Sequence, residues 1–164
     1  MRPVWAEVDL GAISANVAAL RDHAAPAAMC AVVKADGYGH GAVPVARAAL
    51  AGGADVLAVA LVAEGVELRD AGIDAVVMIL SQASADEIDT LVAADLDATV
   101  YTDDGVAGLA EAAARAGRTA DRPVRVHLKV DTGMHRVGVQ PRDAVPLARR
   151  VADEPALELC SVFT

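Results

Sequence analysis

Ala31-Val32-Val33-Lys34-Ala35-Asp36-Gly37-Tyr38-Gly39-His40-Gly41 is the stretch on which the fold turns. Residues 29–33 form an unbroken apolar run of the kind a strand buried on both faces presents. The run ends in a lysine, and three glycines follow between positions 37 and 41. In parallel β/α folds the carboxyl ends of the strands carry the active site, and glycines in the next loop let backbone approach a ligand closely. Lys34 is therefore placed at the rim of a sheet, where function is expected.

Five more apolar β-type runs follow, at residues 56–60, 75–80, 97–101, 124–130 and 157–163, with helical patterns in the gaps. Ser84 and Glu87 make a capping box ahead of Ile88, Leu91 and Val92, and Thr102 followed by Asp103 and Asp104 gives a second capped, acidic first turn. Gly52, Gly72 and Gly117 each close an alanine-rich stretch, where a left-handed residue after the helix is expected. Six strands alternating with helices predict right-handed βαβ units and a parallel sheet. Periodicity alone leaves a barrel and a doubly wound sheet both open. Residues 4–8 stand outside the repeat, ahead of a helix started by Asp9 that carries Ile13, Val17 and Leu20 on one face.

Composition narrows the class. With 55% hydrophobic and only 2% aromatic residues, the core must be built from Ala, Val, Leu and Ile, which suits an α/β protein. A net charge of −9 with no local cluster of Lys or Arg repels phosphate backbones and anionic lipid, so nucleic acid and membrane surfaces are excluded as expected partners. The opening MRPVWAEVDL lacks the apolar centre of a signal peptide. No run reaches the ~18 apolar residues of a membrane span. Cys30 and Cys160 both lie in apolar strand-like runs and are expected to be buried free thiols of a cytoplasmic protein. The 164 residues fall short of the roughly 250 that a complete β/α barrel requires.

A lysine amine attacks an aldehyde only when deprotonated, and a partly desolvated strand end near other cations favours that state. Position alone would equally suit an ordinary lysine snorkelling from a strand end. The sequence block decides between them. Residues 33–41, Val-Lys-Ala-Asp-Gly-Tyr-Gly-His-Gly, resemble the cofactor-lysine signature of the alanine racemase family, which more often has Ala where Gly37 stands. The likeness continues in Trp5-Ala6-Glu7-Val8-Asp9-Leu10-Gly11-Ala12, in Ala58-Val59-Ala60 with Glu64 and Leu68-Arg69-Asp70-Ala71-Gly72-Ile73, and in Val130-Asp131-Thr132-Gly133-Met134-His135-Arg136-Val137-Gly138. Four ordered blocks span essentially the whole chain.

The resemblance implies a (β/α)8 TIM-barrel type, visible here as an incomplete barrel of about six βα repeats. It divides the chain into a strand at 1–9 belonging to the C-terminal β-domain of a parent enzyme and an incomplete barrel domain at 10–164. The implied activity is interconversion of L- and D-alanine on pyridoxal 5′-phosphate, supplying D-alanine for peptidoglycan in a homodimeric enzyme, with residues 1–164 inactive alone. No metal is implied. Lys34 would be the Schiff-base lysine and the base on one face of the α-carbon, with a tyrosine further along the chain on the other. Tyr38, beside Gly39 and Gly41 at an expected helix start, would meet the cofactor phosphate. Arg136 would contact the cofactor phenolate region and the substrate carboxylate, a task for a planar fork. Lys129 would be carbamylated to position that arginine; unmodified, it would pair with Asp131 or another carboxylate. His40, Met134 and His135 receive no catalytic role. A non-catalytic pyridoxal-phosphate carrier and an amino-acid decarboxylase of related barrel type are the alternatives, and neither resembles the complete lysine block.

Overall fold

The computed structural model describes residues 4–164. Six parallel strands form, each inside one of the expected runs: β1 (Cys30–Val32), β2 (Val56–Val59), β3 (Val76–Ile79), β4 (Ala98–Val100), β5 (Val124–Lys129) and β6 (Leu157–Phe163). They pair in chain order as β1-β2-β3 and β4-β5-β6. The two sets are joined by a parallel bridge, Met78 to Asp97, with Ile79 N donating to the Asp97 carbonyl at 3.0 Å. The result is an open arc of α/β repeats in which β1 and β6 are unpaired edges among the described residues.

The helices follow the expected gaps: α1 (Leu10–Ala24), the short α2 (Lys34–Gly39), α3 (Ala42–Ala51), α4 (Val62–Asp70), α5 (Ile88–Ala93), α6 (Asp103–Arg115) and α7 (Ala144–Ala152). Asp9 caps α1 by accepting from Ala12 N at 2.9 Å, and Thr102 caps α6 by accepting from Gly105 N at 3.0 Å. The Ser84 capping box is displaced. Glu87 reaches back to the Ser84 hydroxyl at 2.5 Å, but this closes a turn, and α5 begins only at Ile88.

Alternation along each strand sends one set of side chains under the helices and the other to the concave side. Leu57, Val59, Val77, Ile79, Val100, Val126 and Leu128 are the buried set, packed with Leu68, Leu91, Val106, Leu109 and Val151 from the helices. This is the aliphatic core expected from the composition. On the concave side Ala58, Met78, Thr99 and His127 of the central strands are buried, whereas Cys30 on β1 is exposed and Cys160 on β6 half-exposed rather than buried. The expectation for the thiols fails because they lie on edge strands that no further strand flanks among the described residues.

One more correction is local. Gly72 and Gly117 are left-handed (φ 75° and 68°), but Gly52 is not (φ −76°), and its neighbour Gly53 takes that conformation (φ 94°). Gly52 is glycine for another reason: a Cβ there would run into the Ser14 carbonyl and Val17 of α1. Residues 4–9 form no regular element, and positions 1–3 lie outside the described residues. Among the described residues no helix is long and apolar enough to cross a membrane.

Candidate active site at the strand rim

Lys34 lies one residue beyond β1, after Val33, half-buried at the carboxyl rim. The chain then does something the sequence did not announce. Ala35, Asp36, Gly37 and Tyr38 all adopt left-handed angles, with φ between 52° and 61°, so α2 is a left-handed helical turn. Three of the four carry a Cβ, and that handedness costs a residue with a side chain roughly 1–2 kcal/mol. The surroundings hold the turn in place. Gly37 N donates to the Val33 carbonyl at 2.9 Å and Gly41 N to the Asp36 carbonyl at 2.9 Å. Ala35 N donates to Glu64 Oε1 at 2.6 Å.

Tyr38 is therefore on a turn, and the helix expected beside it starts at Ala42. The free amides expected there are partly spoken for, since Ala42 N donates to Asp36 Oδ1 at 2.7 Å. The phenol itself is 58% exposed. His40 has a structural contact, its Nδ1 lying 2.9 Å from the Gly37 carbonyl.

The second part of the rim follows β5. A cleft of about 480 Å³ is lined by Lys129, Asp131, Met134, Arg136, Val137 and Thr164, among others. Asp131 accepts from Gly133 N and His135 N, each at 3.0 Å, and these amides hold its carboxyl below the usual carboxylate range. Asp131 is thus committed to its own loop rather than to Lys129 or Arg136. Among the described residues Lys34, Lys129 and Arg136 form no salt bridge. Lys129 Nζ lies over the Phe163 ring, 4.4 Å from its centroid, a cation–π contact. Burial, reinforced by the Arg136 charge and opposed by Asp131, pushes its amine below the ordinary lysine range. Arg136 is exposed.

Several polar contacts escaped the sequence reading, one at the rim and the others toward the amino ends of the strands. Gln82 stitches the loop after β3 to the one after β4, accepting from Tyr101 N at 2.9 Å and donating to Thr102 Oγ1 at 2.9 Å. Inside the arc, buried Asp97 accepts from Arg125 Nε at 3.0 Å and lies 3.0 Å from His127 Nε2, whose Nδ1 is 2.7 Å from Ser161 Oγ. Arg69, quoted above only for its block, donates to the carbonyls of Ile73, Ala75, Ala94 and Asp95 at 2.6–3.0 Å and is structural. Periodicity carries no signal for such contacts, most of which join loops or strands about twenty or more positions apart.

A parallel βα arc whose carboxyl rim presents two lysines, an arginine and a tyrosine has the architecture of part of a β/α-barrel protein. The model of the family described as alanine racemase, N-terminal domain, matches residues 8–164, and the chain belongs to that family. The alanine racemase of Symbiobacterium thermophilum is 48% identical over 164 residues, covering 100% of this chain and 42% of that protein. That of Mycolicibacterium vanbaalenii is 46% identical over 157 residues, 94% of this chain and 39% of its own. Among solved structures, alanine racemase from the D-cycloserine producer Streptomyces lavendulae superposes with a TM-score of 0.85 at 39% identity, covering 99% of this chain and 43% of that one. The E. faecalis enzyme gives a TM-score of 0.85 at 37% identity, over 96% of this chain and 42% of its own. The chain thus spans about two fifths of the length of these relatives.

Proposed function

We propose that the chain forms the lysine-bearing part of a pyridoxal-phosphate-dependent alanine racemase, in which Lys34 binds the cofactor and carries the proton on one face of the substrate. The observation supporting this best is a half-buried lysine with no carboxylate partner, held at the strand rim by a strained turn, in a chain of this family. The residues present fit the cofactor. An amine suits its aldehyde, the exposed Tyr38 phenol suits its phosphate, and the unpaired Arg136 fork suits the ring oxygen and the substrate carboxylate.

Pyridoxal phosphate supplies an electron sink for the charge left when the α-proton departs. Lys34 takes or returns that proton at Nζ. Inversion needs a second proton carrier on the opposite face, which we place outside residues 1–164, together with a homodimeric assembly. The lowered affinity of the Lys129 amine for protons enlarges the neutral fraction that reacts with carbon dioxide, so carbamylation of Lys129 belongs to this reading. Residues 4–9 form no regular element and expose Val4 and Trp5, which agrees with assigning 1–9 to a separate β-domain that covers them. The free thiols Cys30 and Cys160 suit a reducing, cytoplasmic setting. L-alanine is the proposed substrate and D-alanine for peptidoglycan the proposed product.

The test is borohydride reduction of the full-length enzyme loaded with pyridoxal phosphate, followed by peptide mass mapping. The pyridoxyl group is expected on Lys34, and a label on another lysine rejects the assignment.

A further inference from the structure

Among the described residues Glu64 is the one carboxylate that joins the lysine turn to the neighbouring βα loop. Its Oε2 accepts from Ala60 N at 2.7 Å and Leu61 N at 3.1 Å, which fixes the end of β2 and the start of α4. Its Oε1 accepts from Ala35 N at 2.6 Å, the amide immediately after Lys34. Ala35 is the first residue of the left-handed turn (φ 52°, ψ 52°). A backbone in that conformation relaxes toward the right-handed or extended wells unless something holds it. A charged acceptor at 2.6 Å is the strongest holder available to a lone amide.

We infer that Glu64 is a positioning residue for Lys34: its carboxylate spans two βα loops, locks Ala35 in the left-handed conformation, and so aims the lysine amine into the site. The proposal rests on the reading of Lys34 as the cofactor lysine. A cap on α4 alone would need only Oε2; the second oxygen, turned 29 positions back along the chain, serves the lysine turn.

The geometry separates the two roles. Glu64→Gln preserves size but leaves a single acceptor oxygen, so it satisfies either α4 or Ala35 and points an NH2 group at the other. Ala35→Gly removes the Cβ penalty of the left-handed conformation and lets the turn form with less help. A merely structural cap would be indifferent to glycine at 35.

The experiment uses the full-length enzyme stripped of cofactor, with pyridoxal phosphate as the probe. The rate of its capture at Lys34 is followed by absorbance and by borohydride trapping, alongside amide hydrogen exchange at Ala35 and Leu61. Glu64→Gln is expected to slow capture and lower kcat/KM about ten- to hundredfold, the scale of one lost hydrogen bond to a charged group, and to accelerate exchange at Ala35. Adding Ala35→Gly to Glu64→Gln is expected to recover at least a third of the loss in capture rate on a logarithmic scale. Parental capture in Glu64→Gln overturns the inference, as does a loss that glycine at 35 leaves unrecovered. Trapping on a lysine other than Lys34 in the unsubstituted enzyme instead defeats the underlying assignment, so the two failures are distinct.

Discussion

Gly138→Ala should damage this protein far more than Gly133→Ala, although the two glycines share a loop and nearly the same backbone. Gly133 has φ 139° and Gly138 has φ 130°, a region that residues with a Cβ avoid at a cost of about 1–3 kcal/mol. Alanine shortens the list of unfolded conformations and offsets roughly 0.4–1 kcal/mol at either position. The difference lies in what the new Cβ meets. At Gly133 there is nothing within 4 Å, whereas at Gly138 it would lie 2.5 Å from Asp131 N, 2.8 Å from Val130 C and 3.1 Å from Asp131 Cα. All three are backbone atoms, so relief requires moving the 130–131 segment. That movement opens the bonds from Asp131 N to the Val139 carbonyl and from Val139 N to the Lys129 carbonyl, each 2.9 Å, worth about 1 kcal/mol apiece. Gly133→Ala is therefore expected to lose about 1–2 kcal/mol and Gly138→Ala about 3–4 kcal/mol, summing the strain, the broken bonds and the offset. Because the same loop carries Arg136, Gly138→Ala should also lower kcat/KM by about a hundredfold, the scale of a displacement near 1 Å. Urea unfolding and alanine turnover of both variants in the full-length enzyme measure this. Equal losses from the two substitutions would mean that the backbone contacts of the Gly138 Cβ do not decide the outcome.

Three further outcomes are expected. Arg136→Lys should cut turnover about ten- to hundredfold while pyridoxal phosphate stays bound, because a point charge cannot reproduce a bidentate fork, and steady-state kinetics with an absorbance titration separate the two; unchanged turnover rejects the role. Asp131 has a folded pKa below its unfolded value of about 3.9, so its stabilisation of the 131–135 loop is complete above that pH and is lost as pH falls through the lower folded value; amide exchange at Gly133 and His135 from pH 5 to 3 should show protection vanishing only in acid, and pH-independent protection counts against it. Residues 1–164 expressed alone with added pyridoxal phosphate should not racemise alanine and should self-associate through the open edges β1 and β6, which chromatography and a D-alanine assay check; turnover near that of full-length enzyme would refute the two-face mechanism.

The strand positions were legible because a strand buried under helices must be apolar along its length, and the runs containing Leu57, Val77, Val100 and Leu128 have no other use. Thr102 and Asp9 were legible because a cap satisfies its own helix within three residues. Gly52 misled because two glycines in a row offer two candidates for one left-handed position, and the choice was made by α1, whose Ser14 carbonyl leaves Gly52 no room for a Cβ. The thiols misled for a different reason: an apolar run marks a strand but says nothing about whether that strand lies at an edge of the sheet, as β1 and β6 do. Lys34, Tyr38, Lys129 and Arg136 were legible as rim residues through their blocks, and the structure puts all four after or at the ends of β1 and β5. What no pattern showed was the handedness of the turn between Lys34 and Gly39, since Ala35, Asp36 and Tyr38 carry no local preference strong enough to demand it.

That omission has a physical explanation which links fold to function. Consecutive left-handed residues with side chains do not form unless contacts from elsewhere compel them, so the determinants of the turn must lie outside it. Glu64 is one, reaching from the loop after β2, and the Val33 carbonyl at the end of β1 is another. Gln82 plays the corresponding part between the loops after β3 and β4, where Tyr101 and Thr102 depend on it. Two rim loops are thus held by a side chain from an adjacent repeat, whereas the loop after β5 is held by its own Asp131. The shape of the lysine turn therefore depends on the folded sheet, through Glu64, a helix cap that also reaches 29 positions along the chain, while Gln82 makes only bonds that span 19–20 positions.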